Sequence, residues 1–414
     1  MHLISNMVIC SSIYFPCGPH IYHGDRRNRV KVVGSRSRNR GTRGLSRGIT
    51  LLGLLVLLNA GALGYLATVS PTKPGDGTMP IQVTINGAGA TFPFPLLSVM
   101  TVEYNLLKPS VRLNYQSIGS GGGIRQHAAK TVDFAASDAP LNEEQRTATL
   151  DTVHIPITIG AVTLTYNLPG VGRGLRVTGP LVADIFGGKV KKWNEPAIAT
   201  LNPDLRLPEA DILVVHRSDG SGTTFVWTSY LSLVSPDWRD TVGRGTAVQW
   251  PTGLGSSGNE GVAGLIRGTP YSIGYVELAY AHQSQMTYAA IQNREGRFVE
   301  PTLESTGAAA AEVAGSLPSG GESWTSIHLL DTPGEDSYPI ASFSYLLIYR
   351  ELSVLPSMSE AKARALADFL WWATHEGQSY ATRIVYVPLP SSVVSVNEET
   401  IRSILFDGKP LVRS

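Results

Sequence analysis

The sequence predicts an α/β architecture with two lobes for most of the chain. Short apolar runs that suit buried strands alternate with segments whose apolar residues recur at helical spacing, which is typical of α/β folds. The run from Asp151 to Asn167 is long and rich in β-branched residues, and it favours a strand that crosses between two lobes. The apolar stretch from Tyr338 to Tyr349 is the candidate for the return crossing.

The first 70 residues differ from the rest of the chain. Residues 26–47 carry nine Lys and Arg, and no charged residue occurs from Gly48 to Thr72, a segment that contains the apolar run 49–58. A basic segment, an apolar segment and then small residues are typical of an export signal. The uncharged run is also long enough to span a bilayer if it is retained. We therefore expect an extracytoplasmic protein with a cleaved signal or a membrane anchor, followed by a flexible linker over residues 71–79.

Cysteine usage and charge limit what the exported part can be. Both cysteines, Cys10 and Cys17, precede the apolar run, so we expect neither disulfides nor the lipid anchor of a lipoprotein. Without the leader, 25 Lys/Arg face 32 Asp/Glu, a net charge of −7. A negative chain has no general attraction for nucleic acid, and local dipoles must bind any anion. The exported part is expected to be a monomer.

Three turns share one plan, in which an apolar strand is followed by Gly, Ser or Thr and then by a helix. They are Asn86–Pro93, Gln116–Gln126 and Val214–Thr224. Free N–H groups and the macrodipole at a helix N-terminus favour an anion. Three such turns are able to converge on one tetrahedral oxyanion. None has the Gly-Lys-Ser/Thr of a phosphate-binding P-loop or a clean dinucleotide fingerprint, so a nucleotide site is disfavoured.

The third turn adds an arginine to this plan. Arg217 offers a planar fork of donors, and Asp219 follows two residues later. The competing interpretation is a capped helix that carries a surface Arg–Asp pair.

A carboxylate ends the predicted strand Phe134–Ser137. Asp138 either caps the helix that begins near Leu141 or takes part in the anion site. The second role makes sense only if the anion carries a proton. Hydrogen phosphate does, and sulfate at neutral pH does not.

Two further segments favour structural roles over ligand contacts. Gly253–Gly261 is a fourth glycine-rich helix start, but it contains Glu260 and no arginine, which favours a hinge or lobe-closing loop over a fourth anion-facing turn. The C-terminal helix is expected to begin at Ser359 and end at Gly377, with Trp371 and Trp372 in packing roles rather than stacked on a ligand.

The sequence gives little support for a metal site or for a catalytic nucleophile. The histidines of the exported part lack the close-paired spacing of metal ligands, so no metal and no cofactor are expected; they are His127, His154, His216, His282, His328 and His375. Ser221 lacks the Gly-x-Ser-x-Gly elbow of a hydrolase. His216, beside Arg217, either adds positive potential to the anion site or is a surface residue.

Several long motifs in order make the exported part resemble the extracytoplasmic phosphate-binding protein of bacterial and archaeal ABC phosphate importers. The motifs are Gly87–Pro93, Ile118–Ser120 with its glycines, Asp133–Leu141, Lys189–Trp193, Arg217–Thr223 and Gly274–Glu277.

This resemblance implies a type II-like periplasmic-binding-protein fold, with two α/β lobes joined by two crossing strands and a ligand cleft between them. Lobe 1 would comprise residues 80–158 and 339–414, and lobe 2 residues 159–338. It also implies a non-enzymatic subunit that delivers inorganic phosphate to a membrane permease. The alternatives are a secreted phosphatase and a binding protein for another oxyanion such as sulfate.

Carried over by position, the resemblance implies phosphate contacts from residues of four segments: Thr91, Phe92 (backbone), Ser120, Asp138, Arg217, Ser221, Gly222 (backbone) and Thr223. Asp219 would orient Arg217. Gly121 departs from the pattern, because many relatives have a second serine at that place.

Overall fold

The computed structural model describes residues 82–315 and 317–412. The predicted signal or anchor (1–70) and the predicted linker (71–79) lie outside the described residues. Within those residues, no helix has the length and apolar character needed to cross a membrane.

Strands and helices alternate as the sequence predicts. The strands are β1 (Val83–Gly89), β2 (Val111–Ser117), β3 (Phe134–Ser137), β4 (Thr152–Asn167), β5 (Arg176–Val177), β6 (Leu213–Arg217), β7 (Leu254–Ser256), β8 (Ser272–Glu277), β9 (Thr287–Tyr288), β10 (Ala290–Gln292), β11 (Phe298–Val299), β12 (Leu329–Leu330), β13 (Ile340–Tyr349), β14 (Leu405–Phe406) and β15 (Lys409–Pro410). The α-helices are α1 (Phe94–Leu107), α2 (Ser120–Ala128), α3 (Glu143–Ala148), α4 (Gly179–Phe186), α5 (Pro196–Ala199), α6 (Gly222–Val234), α7 (Pro236–Thr241), α8 (Gly258–Gly268), α9 (Leu278–Gln283), α10 (Leu303–Ala311), α11 (Glu360–Thr374) and α12 (Ser391–Arg402). Short 3₁₀ turns cover Leu352–Val354, Glu376–Tyr380 and Thr382–Ile384.

One large sheet carries most of the chain, with the strand order β2-β1-β3-β13-β4-β8-β6-β7. At one end β1 lies parallel to β2 and β3, and at the other end β6 lies parallel to β7 and β8. The antiparallel strands β13 and β4 join these two parallel groups. The sheet therefore has two halves, each with helix-connected parallel strands, as α/β folds require.

The long strand β4 has the form that the sequence predicts for a crossing. It has 16 residues and pairs with β13 from Thr152 to Ala161 and with β8 from Val162 to Asn167. All but its last residue are buried, which explains why its sequence is almost continuously apolar or β-branched. The predicted return crossing is β13. The proposed lobe boundaries at 158/159 and 338/339 stay a prediction.

Several local predictions are confirmed or corrected. Ser359 caps α11, accepting a hydrogen bond from the N–H of Lys362. That helix ends at Thr374 rather than Gly377, which lies in the next 3₁₀ turn, and it is not the C-terminal helix, because α12 follows it. The helix-cap interpretation of Asp138 is wrong, because Asn142 caps α3 in a capping box with Gln145.

Packing explains the aromatic residues of α11. The ring of Tyr104 on α1 lies 5.3 Å from that of Phe369 and 5.2 Å from that of Trp372, centroid to centroid. The ring of Trp371 stacks on His375 at 4.5 Å. Both tryptophans thus have the packing roles that the sequence predicts.

A candidate anion-binding site

The three predicted turns meet at one place. The turn after β2 contacts the turn after β6 directly, since the N–H of Gly121 donates to the carbonyl of Gly220 at 2.9 Å. The N–H of Gly222 donates to Ser120 Oγ at 3.0 Å. The turn after β1 joins them through Thr91, whose Oγ1 lies 3.1 Å from Arg217 Nη1. The N-termini of α1, α2 and α6 therefore lie around one small region. Helix N-termini favour an anion there.

Arg217 is buried in this region and held rigidly. Its Nε and Nη2 donate to the two carboxylate oxygens of Asp219, and its Nη1 faces Thr91 and, at 3.5 Å, Thr223. The N–H of Gly258 donates to Asp219 Oδ1 at 3.1 Å. Burial would raise the pKa of Asp219, but the hydrogen bonds and charge of Arg217 hold that pKa below its ordinary value. Asp219 therefore stays ionised and fixes the guanidinium in one plane.

The two serines of the site accept hydrogen bonds from the protein. Ser120 Oγ, fully buried, accepts from the N–H groups of Asp138 and Gly222. Ser221 Oγ accepts from the N–H of Thr224 at 3.0 Å and so caps α6. A hydroxyl has one proton and two lone pairs. Because backbone donors face the lone pairs of Ser120, its proton can be donated to the neighbouring carboxyl of Asp138, where a bond from Ser120 lowers the pKa, or to a ligand.

Asp138 is the acceptor among these donors. Its Oδ1 accepts from Ser344 Oγ at 2.7 Å, and its Oδ2, buried, makes no hydrogen bond among the described residues. Burial raises the pKa of Asp138 to about 7, against the lowering effects of Ser344 and Arg217. A Cβ on Gly222 would overlap Asp138 Oδ2 and Ser120 Oγ. The start of α6 therefore approaches the carboxylate as only glycine permits.

Two tyrosines hold the backbone of the first turn. The hydroxyl of Tyr280 donates to the carbonyl of Thr91, and that of Tyr386 donates to the carbonyl of Phe92, both at 2.6 Å. Phe92 is fully buried, and its ring packs against that of Tyr386. The turn is thus anchored from two distant parts of the chain.

Asn259, a residue that the sequence interpretation missed, also belongs to the site. Its Nδ2 lies 2.7 Å from Thr91 Oγ1 and 3.1 Å from Thr223 Oγ1, and the residue is fully buried. It stands at the start of α8, in the glycine-rich segment that was interpreted as a hinge or lobe-closing loop. The signal was present, because that segment follows the same strand–turn–helix plan as the other three. The lack of an arginine argued against it, but here Asn259 supplies the polar contact.

Two remaining sequence questions have structural answers. The ring of His216 stacks on Trp250 at 4.7 Å, and burial lowers its pKa, so it is neutral near pH 7 and adds no charge to the site. A Cβ on Gly121 would lie 3.1 Å from Gly220 Cα, so a side chain there would press on the facing turn.

Among residues 82–315 and 317–412, no group of His, Cys, Asp and Glu is arranged to hold a metal ion.

The chain is similar to one family model and to several known phosphate-binding proteins. A model of the PBP superfamily domain matches residues 68–376. The chain is 46% identical to the phosphate-binding protein PstS of Pasteurella multocida over 75% of this chain and 88% of that protein. It is 35% identical to that of Methanocaldococcus jannaschii over 86% of this chain and 95% of that protein.

Solved structures show the same fold at low sequence identity. A high-affinity periplasmic phosphate-binding protein solved with phosphate has a TM-score of 0.59 and 17% identity, covering 80% of this chain and all of that one. A phosphate-binding protein from Stenotrophomonas maltophilia has a TM-score of 0.54 and 18% identity, covering 75% and 92%. The two-lobed periplasmic-binding-protein fold is therefore that of this chain.

Proposed function

The chain belongs to the PstS family of phosphate-binding proteins, and from this premise we propose that it captures inorganic phosphate outside the cytoplasm and delivers it to an ABC-type permease. The proposed ligand contacts are Thr91, Phe92 (backbone), Ser120, Asp138, Arg217, Ser221, Gly222 (backbone) and Thr223. The basic and apolar leader supports export through a signal or anchor. The relatives' names support the ligand.

One observation carries the proposal, namely that donors converge around Asp138 Oδ2, a buried acceptor to which none of the described residues donates a hydrogen bond in the structure. Helix N-termini, serine and threonine hydroxyls and the Arg217 fork all suit the unprotonated oxygens of an oxyanion. A single acceptor suits one protonated oxygen. Hydrogen phosphate has that pattern of three acceptors and one donor, whereas sulfate at neutral pH has acceptors alone.

A binding role fits the surroundings of Ser221 better than a nucleophilic role. Ser221 Oγ serves as the N-cap of α6, and no histidine contacts it within the described hydrogen-bond network. His216 points its Nδ1 at the carbonyl of Arg217 instead. A serine without a general base is a weak nucleophile, which disfavours the phosphatase alternative.

Thermal unfolding and calorimetry of protein stripped by unfolding and refolding test this proposal. Inorganic phosphate should raise the melting temperature with the logarithm of its concentration, through binding to the native state. Arg217→Ala should weaken phosphate binding by at least about tenfold, because a charge-assisted pair of donors is lost.

Arg239→Ala is the matched control, since it removes one arginine that pairs with Asp240 at the surface, and phosphate affinity should be unchanged. Absence of any thermal shift at millimolar phosphate would refute the proposal. Release of phosphate from a phosphomonoester would favour the phosphatase instead.

A further inference from the structure

The amide of Asn259 lies between two hydroxyls of the proposed phosphate site. Its Nδ2 is within hydrogen-bond distance of both Thr91 Oγ1 and Thr223 Oγ1. The backbone N–H of Glu277 lies 2.9 Å from the other amide atom. Because that N–H can only donate, the atom facing it is Oδ1, and the orientation of the amide is settled. Asn259 therefore donates one hydrogen to each threonine.

Arg217 supplies further donors to the same hydroxyls. Its Nη1 lies 3.1 Å from Thr91 Oγ1 and 3.5 Å from Thr223 Oγ1. With both lone pairs facing donors, neither hydroxyl can direct its proton toward Asn259 or Arg217. Each proton is left for the region that the helix N-termini enclose.

We propose that Asn259 is a positioning residue for phosphate, which fixes the hydroxyls of Thr91 and Thr223 as donors toward the anion. The proposal rests on the proposed function of the site. Thr91 follows β1 and Thr223 is the second residue of α6, so one amide contacts two of the converging turns. Dipoles oriented before the ligand arrives cost no reorganisation on binding. The contacts of Asn259 thus hold these two turns together and orient their hydroxyls at the same time.

A double-mutant cycle, read out as affinity for inorganic phosphate, separates this role from packing. Asn259→Ala should weaken binding by about tenfold or more, since the hydroxyls of Thr91 and Thr223 each lose one of the donors that orient them. In a Thr91→Val or Thr223→Val background the same substitution should cost at least about threefold less, because one hydroxyl it acts on is gone. A packing role predicts the same loss in every background, and that additive result would overturn the proposal.

Asn259→Asp provides a second variant that keeps the shape. A carboxylate oxygen in place of Nδ2 would accept the threonine protons and turn them away from the anion. Its phosphate affinity should fall below that of Thr223→Val, and wild-type affinity in Asn259→Asp would also overturn the proposal.

Asn202→Ala is the folding control. Asn202 is a buried asparagine that bonds to the backbone of Arg176 and Ile198, so its loss should lower stability and leave phosphate affinity unchanged. Phosphate-free denaturant melts of all variants report folding separately. If wild-type protein fails to bind phosphate, the proposed function fails too; if it binds and the cycles are additive, only the role of Asn259 is wrong.

Discussion

Asp138 is a buried residue whose charge depends on its protonation near neutral pH. Its carboxyl is buried, with one oxygen held by Ser344 and the other facing the converging donors. Burial raises its pKa to about 7, so near neutral pH it is poised between acceptor and donor. Glu277 is also buried, and burial raises its pKa well above the ordinary value. The positive charge of Arg217 acts in the opposite direction on Asp138 and lowers its pKa.

Sulfate binding should depend on this titration. Below pH 7 a protonated Asp138 can donate to sulfate, whereas above pH 7 its carboxylate would face an unprotonated sulfate oxygen. Sulfate affinity should therefore fall as pH rises through about 7. Phosphate, which brings its own proton, should show a smaller change. Competition of sulfate against phosphate between pH 6 and pH 8 measures this directly.

The matched variant is Asp138→Asn, whose amide does not titrate. This variant should make the affinity for sulfate less dependent on pH. It should also reduce the difference between the affinities for phosphate and for sulfate. At pH 8 wild type should prefer phosphate by roughly a hundredfold or more, the scale of leaving a buried charged group unpaired. Wild-type sulfate affinity that is constant across this range would show that Asp138 is not the selectivity element.

Among the secondary-structure elements, α6 begins directly beside Asp138 and Ser120. Its first residue, Gly222, has no room for a Cβ beside Asp138 and Ser120. The helix can therefore present its N-terminal N–H groups at short range only because that residue is glycine.

Gly222→Ala should weaken phosphate binding by about tenfold or more, because the helix must shift away from Asp138 and Ser120. Gly264→Ala is the comparison, as Gly264 lies within α8 and a Cβ there meets nothing within 4 Å. That change should stabilise the protein by about 0.4–1 kcal/mol and leave affinity unaltered. Calorimetry with inorganic phosphate and denaturant melts would be compared for both variants. A Gly222→Ala protein that binds like wild type would contradict this account of the close approach.

Local patterns predicted the elements well, and they failed where long-range contacts decide. The strand β3 and both crossing strands follow from apolar runs alone, since burial on both faces leaves a continuous pattern. The predicted turn Asn86–Pro93 begins too early in the chain: β1 runs from Val83 to Gly89, as its parallel pairing with β2 continues through the glycines.

The candidate site shows the same division. Arg217 and its partner Asp219 are two residues apart, so their pairing was visible in the sequence. Asn259 is 168 residues from Thr91 along the chain. Its contact depends on how the turns converge, and no local spacing encodes that. The alternative helix-cap role of Asp138 failed for a local reason, because Asn142 and Gln145 form a better cap.

At the scale of the whole molecule, the single sheet explains how the turns converge. β1 and β3 lie on one side of the antiparallel pair β13 and β4, while β8, β6 and β7 lie on the other. Contacts such as Ser120 to Gly222 and Thr91 to Arg217 therefore join the two sides. The proposed lobe boundaries fall within β4, at 158/159, and just before β13, at 338/339, so we expect any hinge motion that opens and closes the site to bend the chain there.

This architecture should fold without cofactor or covalent support. The sequence has no cysteine after Cys17, and the described residues hold no candidate metal cluster. The buried strands β4 and β13 give the sheet a continuous apolar centre, and a chain of this length buries ample surface on folding. A fragment that begins near Pro71 should therefore show one cooperative denaturant transition as a monomer, unchanged by chelator or reductant. Sedimentation and denaturant melts with and without these additives provide the measurement. A transition that needs added zinc, or a fragment that is folded only as an oligomer, would mean that the core needs more than its own packing.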